Sequence, residues 1–542
     1  MNKFLFFLLF IGSVCAAQNR PIITKWYGQD GSFTISAQGA FYYTYQKVGS
    51  TVVSGSFYSQ GTLTMNIPGG DYIVSITPTS TFRFHPNSSN NNPRFLELIQ
   101  WGDVSWNSDL SRMFMGCNNL KITATDIPNF SNVTQMNDMF SSCKIIDNIP
   151  NANSWDVSKV TRMDKMFYGA TVFNQNISSW NVANVTNMID MFNGAAAFNQ
   201  NIGNWDVSKV TKMNQMFTGA TAFNQNIGSW NVSKVTDMLN MFKGAETFNQ
   251  NISNWDVSKV EYMGGIFNGS KSFNQSIADW NISKVTNMTS MFDGATAFNQ
   301  DIGTWNVSNV ITMKNMFNGA ASFNQNIGNW DVSKVTNMER MFNAAAAFNQ
   351  NIENWNVNRV TNMDYIFRDA TSFNQNLGNW KLSGTSNSGN YLYSIFDNSG
   401  LSCHNYALTL KGWAENPSTP RNKNLGVANI KYGQVGQNYR HFFTTQKGWT
   451  FSGDIFEPTC NDALSTNENS LSEKLNFYPN PTTGRIFYQS QADEQVQISN
   501  TAGQLLKTVK VTKGTNQIDV SEFPKGVYFL KAGDKASKLL KN

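Results

Sequence analysis

Apolar residues recur along this chain with a period of 25. Tryptophan stands at 155, 180, 205, 230, 255, 280, 305, 330, 355 and 380, without insertion between copies. A phenylalanine landmark, usually preceded by Met, keeps the same beat from Phe167 to Phe367, with Phe114 and Phe140 before it and Ile395-Phe396 after a longer gap. A fixed period of this length marks a repeat array in which each copy buries its apolar side chains against its neighbours. The irregular first and last copies then act as covers for an otherwise exposed core.

Within a copy the spacing predicts local structure. Ile177, Trp180 and Val182 follow the rhythm of a leucine-rich-repeat strand, and Trp180 and Val182, two apart, share one strand face. Val185, Met188, Met191 and Phe192 lie at offsets of three, six and seven, the face of a short helix. Gly follows the Phe by two residues in seven of the nine copies from Phe167 to Phe367, a helix-ending pattern from which Ala344 and Asp369 depart. Phe198 re-enters the core, and Asn199-Gln200-Asn201 turn the chain toward the next copy. The fold expected is a repeat solenoid, leucine-rich-repeat-like, with one short strand and one short helix per 25-residue rung. An all-β solenoid with three faces fits the same period and would lack the helical circular-dichroism signal.

Other patterns flank the array. Residues 1–17 read as a signal peptide: Lys3, an apolar run from Phe4 to Ile11, and small residues for cleavage after Ala17. Residues 18–94 alternate in short stretches between Gly and Pro turns, an all-β module ending in the loop Asn87 to Pro93. The repeat region is assigned 95–400, a cap rich in aromatics 401–462, a polar linker 463–472, and a small β-sandwich 473–542. No later segment has about 18 consecutive apolar residues, so no integral membrane segment is expected in the mature chain.

Composition narrows the function. Charged residues make up only 14% and the net charge is +5, which gives no case for a nucleic-acid partner. The histidines His85, His404 and His441 stand in no metal-ligand spacing, and no nucleophile elbow or phosphate loop is present. The expectation is a non-enzymatic protein without cofactor or metal. The Met stripe and the Trp column, at inward spacing, read as core rather than as metal or sugar sites. Of four cysteines left after processing, Cys403 and Cys460 suit a disulfide in the cap. Cys117 and Cys143 stand where later copies carry Ala, and are either small buried residues or a bridge between copies.

The residue after each Trp should face opposite to it on a strand. Asp156, Asn181, Asp206, Asn231, Asp256, Asn281, Asn306, Asp331 and Asn356 therefore form a candidate binding ladder on the strand face, continued by Lys381. The competing reading is a solvated face that only prevents edge association. A second column, Lys159, Lys209, Lys234, Lys259, Lys284 and Lys334, is explained by surface charge balancing.

The repeated text W-[ND]-V-S-x-V-T-x-M-x-x-M-F-x-G-A-x-x-F-N-Q-N-I resembles the BspA-like leucine-rich-repeat surface proteins over Phe95 to Asp397. That resemblance implies an extracellular right-handed solenoid, some of whose relatives are adhesins. The last 70 residues resemble the C-terminal sorting domain of the type IX secretion system of Gram-negative bacteria. The matching residues are Tyr478-Pro479-Asn480-Pro481-Thr482-Thr483-Gly484, Gly503 with Leu505, Pro524-Lys525-Gly526-Val527-Tyr528, and the basic end Lys538 to Lys541. It implies the type IX secretion machinery as a partner and a secreted or cell-surface location. The function expected is an exported cell-surface binding protein, an adhesin recognising a protein or glycan through the strand face. The alternative is a structural spacer or surface-layer component without a dedicated ligand.

Overall fold

The computed structural model describes residues 19–28, 30–85, 94–383, 392–462, 475, 477–501, 503–533 and 535–542. The signal peptide 1–17, the loop 87–93 and the linker 463–472 lie outside the described residues. The chain divides into two units, Met1–Cys460 and Asn461–Asn542.

Alternating apolar and polar residues build the first strands: β1 (Ile22–Gly28), β2 (Gly31–Ile35), β3 (Ala37–Gln38), β4 (Ala40–Lys47), β5 (Phe57–Gln60), β6 (Leu63–Ile67), β7 (Gly70–Pro78), β8 (Arg83–Phe84), β9 (Phe95–Gln100) and β10 (Lys121–Ile122). In β6, Leu63, Met65 and Ile67 are buried while Thr64 and Asn66 are exposed, the period of two that a half-buried strand requires. Six strands form one sheet in the order β10-β9-β1-β7-β4-β5, and β2 pairs with β6, β3 with β8. Strand β9 runs antiparallel to β1 and parallel to β10, so the sheet crosses the boundary drawn at 94/95. Trp26 stacks on Phe95 at 4.1 Å and Phe95 meets Phe114 at 5.6 Å, so one core runs from the N-terminal strands into the repeats.

The copies themselves overturn the expected fold class. Among the described residues from 155 to 381 there is no helix, and no strand longer than a single bridge; the leucine-rich-repeat solenoid with one strand and one helix per rung is not formed. Each copy is a succession of tight turns. Ile177 accepts from the Trp180 amide at 3.2 Å, Val182 from Val185 at 2.9 Å, Met188 from Met191 at 3.3 Å and Phe192 from Ala195 at 3.0 Å. Turns closed between residues three apart bring every third side chain inward, which is why the offsets imitate a helix face. The residue between the two methionines forbids the helix: Asp190, Gln215, Asn240, Ser290, Asn315 and Arg340 all have φ between 55° and 59°. That left-handed conformation is incompatible with a right-handed helix and costs a non-glycine residue roughly 1–2 kcal/mol.

The alternate amides bind the following copy. Met188, Asp190, Phe192 and Gly194 donate to the carbonyls of Lys212, Asn214, Met216 and Thr218 at 3.1, 3.1, 2.9 and 2.7 Å. Single parallel bridges repeat this connection from Asp109↔Gln135 to Asn337↔Asn362. Gly194, expected to end a helix, is instead a second left-handed turn residue at φ 74°, and Ala344 and Asp369 adopt the same conformation in its place. Trp180, Val182, Val185, Met188, Met191, Phe192, Ala195, Phe198 and Ile202 are all buried, and their counterparts in later copies continue the core. Burying each large side chain contributes roughly 2–3 kcal/mol, but only against a neighbouring copy.

The final described copy is closed by α1 (Cys403–Glu415), β11 (Asn424–Gly426), β12 (Lys431–Tyr432), α2 (Gln434–Phe442), β13 (Thr450–Ser452) and β14 (Ile455–Phe456). Cys403 and Cys460 are joined by a disulfide with Cα atoms 6.2 Å apart. Trp413 and Trp449 are buried against the end of the core, and Arg440 donates to the Asp454 carboxylate at 3.0 Å over the rings of Tyr432 and Phe451.

The second unit has two sheets, β15-β16-β19 and β18-β17-β20-β21, from β15 (Phe477–Tyr478), β16 (Arg485–Ser490), β17 (Glu494–Asn500), β18 (Leu505–Val511), β19 (Gly514–Asp519), β20 (Gly526–Ala532) and β21 (Lys535–Lys541). They share one core that includes Ile486, Ile498, Ile518 and Leu530. The Asn480 side chain donates to the Lys538 carbonyl at 2.7 Å and accepts from the Leu540 amide at 2.8 Å, so the Asn-Pro-Thr motif clasps the last strand.

Candidate binding faces of the repeat region

Asp156, Asn181, Asp206, Asn231, Asp256, Asn281, Asn306, Asp331 and Asn356 are all exposed and form one column. They do not lie on a strand. Each Oδ1 accepts the backbone N–H two residues on, at 3.0 Å from Ser158, 3.2 Å from Ala183, 3.0 Å from Ser208 and 3.3 Å from Asn358, for example. This is the Asx turn, and it is the local reason for Asp or Asn followed by Val-Ser. Hydrogen bonds from the serine hydroxyl and amide hold the carboxyls of Asp156, Asp206, Asp256 and Asp331 below the usual carboxylate range. In the lysine column, Lys209 reaches Asn184 Oδ1 at 2.7 Å and Lys334 reaches Asn309 Oδ1 at 2.8 Å, each in the preceding copy.

A second asparagine column carries contacts between copies. Asn199 Oδ1 accepts the Asn224 amide at 3.0 Å and the Gln225 side chain at 2.9 Å, and the same pair of bonds recurs up to Asn349 with Asn374 and Gln375. At the end, Ser402 N and Asn405 Nδ2 take those places on Asn374 Oδ1, both at 2.9 Å. From Trp180 onward the indoles are tied the same way: Trp205 Nε1 donates to Ile177 O at 3.2 Å, and Trp413 extends the column to Leu377 O at 2.9 Å. Trp205 is 3% exposed, which leaves no ring face for a sugar to stack on. Cys117 and Cys143 are buried and unbridged, and burial pushes the Cys143 thiol up to about 12.

The bridged segment differs from both columns. Its side chains vary between copies: Arg162, Asn187, Lys212, Asp237, Tyr262, Asn287, Thr312, Asn337 and Asn362 occupy one position, Asn in four of the nine. A neighbouring position holds Asp164, Ile189, Asn214, Leu239, Gly264, Thr289, Lys314, Glu339 and Asp364. Tyr262 is 58% exposed. Charges of both signs pair here, Lys314 with Glu339 at 2.9 Å and Arg162 with Asp164 at 2.8 Å. Arg340 lies over the Tyr365 ring at 4.6 Å, and Tyr365 meets Tyr393 edge-on at 5.3 Å. Burial raises the carboxyls of Asp138, Asp164, Asp237, Asp293 and Asp364 on this segment. Reading inward residues by their period overlooked this face; comparing one outward position across copies reveals it.

No curated protein matches the sequence. A family model described as Mycoplasma protein of unknown function, DUF285, matches in overlapping stretches 107–228, 197–304, 221–327 and 290–401, together more than half of the 542 residues. A model described as secretion system C-terminal sorting domain matches 476–542. That domain makes the protein a substrate of the type IX secretion machinery, exported to the cell surface or beyond it. The repeat family found is the DUF285 one; a BspA-like leucine-rich repeat is not among the matches. The chain belongs to the family described as Mycoplasma protein of unknown function, DUF285, and carries a secretion-system sorting domain at its C-terminal end.

Proposed function

We propose that the exported repeat region is a non-enzymatic binding device, an adhesin, and that a protein partner contacts the bridged segment. The observation that carries this reading is the contrast between positions. Inward residues and Asx-turn residues hardly change from copy to copy, whereas the outward residues of the bridged segment take nearly every chemistry. Extended repeat surfaces recognise partners through such side chains on a constant frame. Tyr262, Arg340, Tyr365, Arg368 and Tyr393 supply the Tyr and Arg that dominate binding energy at protein interfaces. The mixed charges suit a protein better than a polyanion.

The Asp/Asn column supports the alternative, a spacer, because one oxygen of each side chain is already engaged in its turn. That alternative leaves the variation of the bridged segment without a cause. The test is adhesion of the full-length secreted protein to immobilised extracellular-matrix proteins and to cultured cells. Saturable binding that is lost when Tyr262, Arg340, Tyr365 and Arg368 are changed to Asn supports the reading. Absence of binding to every surface tested favours the spacer.

A further inference from the structure

The repeat pattern breaks at three positions near its end, and the three breaks meet in space. Position 353 holds Glu where the other copies have Gly, Ser, Ala or, at 153, Asn. Position 358 holds Asn where they have Ser or Ala, and position 381 holds Lys where they have Asp or Asn. Glu353, Asn358 and Lys381 line one depression of about 410 Å³, together with Asn354, Asn356 and Asn379.

The other copies carry shorter residues at the position of Glu353. A Cβ placed on Gly203, Gly228, Gly303 or Gly328 would lie 2.3–2.5 Å from the carbonyl oxygen of Asn226, Asn251, Asn326 or Asn351 in the next copy. Glu353 is the longest side chain found at this point in any copy.

The groups around the depression are largely uncommitted. Among the described residues, the Lys381 ammonium and the side-chain amides of Asn354 and Asn379 make no hydrogen bond. Asn356 spends Oδ1 on the Asn358 amide at 3.3 Å and keeps its NH2 group, and Glu353 Oε1 accepts only a long bond of 3.4 Å from Asn351. Trp355 also borders the space, but at 3% exposure it offers an edge rather than a stacking face. The wall thus combines amide donors and acceptors with one carboxylate and one ammonium beside the Trp355 edge. A hydroxyl both donates and accepts, so adjacent sugar hydroxyls match such a wall.

We infer that this depression is a carbohydrate-binding site, taking a hydroxyl-rich saccharide through Glu353, Asn354, Asn379 and Lys381. It is separate from the bridged segment, and either assignment can fail alone.

The experiment titrates the full-length secreted protein with maltotriose, chitotriose and a sialylated trisaccharide, followed by ligand-observed NMR and calorimetry. At least one sugar binds saturably. The pair E353G/K381N, which restores residues native to the other copies, weakens that binding about tenfold or more while the melting temperature holds. N379A, which keeps the charges, does the same, and Y365N on the bridged segment leaves the affinity unchanged. The inference is overturned if no sugar binds at about 10 mM, or if E353G/K381N and N379A bind as the unaltered protein does.

Discussion

At the scale of the residue, the Asp or Asn after each Trp closes a turn, and its identity follows from that task. Asp206→Ala removes the acceptor for Ser208 N and should lower stability by about 1 kcal/mol, as loss of a comparable cap does, whereas Asp206→Asn retains Oδ1 and should change little. Thermal unfolding of the two variants decides it. The aspartates of this column have depressed folded pKa values. Their contribution is present above the ordinary carboxylate pKa of about 4 and is lost as pH falls through the lower folded value. Asp164 is opposite in sign. Burial raises its pKa against the pull of Arg162, and its Oδ1 has no hydrogen-bond partner. Its charged form therefore weakens the fold at neutral pH, and that cost vanishes as pH drops below the unfolded carboxylate pKa. Asp164→Asn should raise the melting temperature at pH near 7, with the gain fading toward pH about 4; an equal gain at both would refute this account of the carboxyl.

At the scale of the element, the inward residues were legible in the sequence and the backbone carrying them was not. Val185, Met188 and Met191 point inward as their spacing requires. Three-residue turns and a helix produce the same spacing, so periodicity alone does not separate them. A finer signal lay in the residue before the second Met: Lys165, Asp190, Gln215, Asn240, Gly265, Ser290, Asn315, Arg340 and Tyr365 include no β-branched residue. That avoidance is expected where φ is positive. The two backbones predict opposite rankings at Gln215. A helix would tolerate Val better than Gly, by a few tenths of a kcal/mol. The left-handed turn tolerates Gly within about 0.5 kcal/mol and loses roughly 2 kcal/mol with Val. Chemical denaturation of Gln215→Gly and Gln215→Val reads the order directly. The pairing of β9 with β1 escaped the sequence for a different reason: Phe95 to Gln100 reads as an entry copy, and only the long-range register makes it part of the N-terminal sheet.

At the scale of the whole molecule, the chain joins a constant frame to a transport address. In the C-terminal unit the motif around Asn480 holds the last strand by two hydrogen bonds, so Asn480→Ala leaves the Leu540 amide without its partner. We expect that variant to accumulate inside the cell, measured as the fraction of chain reaching the medium; normal export would show that the clasp is not needed by the machinery. The candidate site was only half legible. The Asp/Asn column was visible as a ladder, yet its turn-forming role depends on a backbone that spacing did not reveal. The bridged segment carried its signal in variation between copies, which a search for repeated residues passes over. The central claim is that this segment receives a protein partner. Its most direct test is adhesion of the full-length secreted protein to matrix proteins and cells, compared with the variant carrying Asn at Tyr262, Arg340, Tyr365 and Arg368. The account predicts saturable binding by the first, weakened about tenfold or more in the second at unchanged melting temperature. Equal binding by both would contradict it.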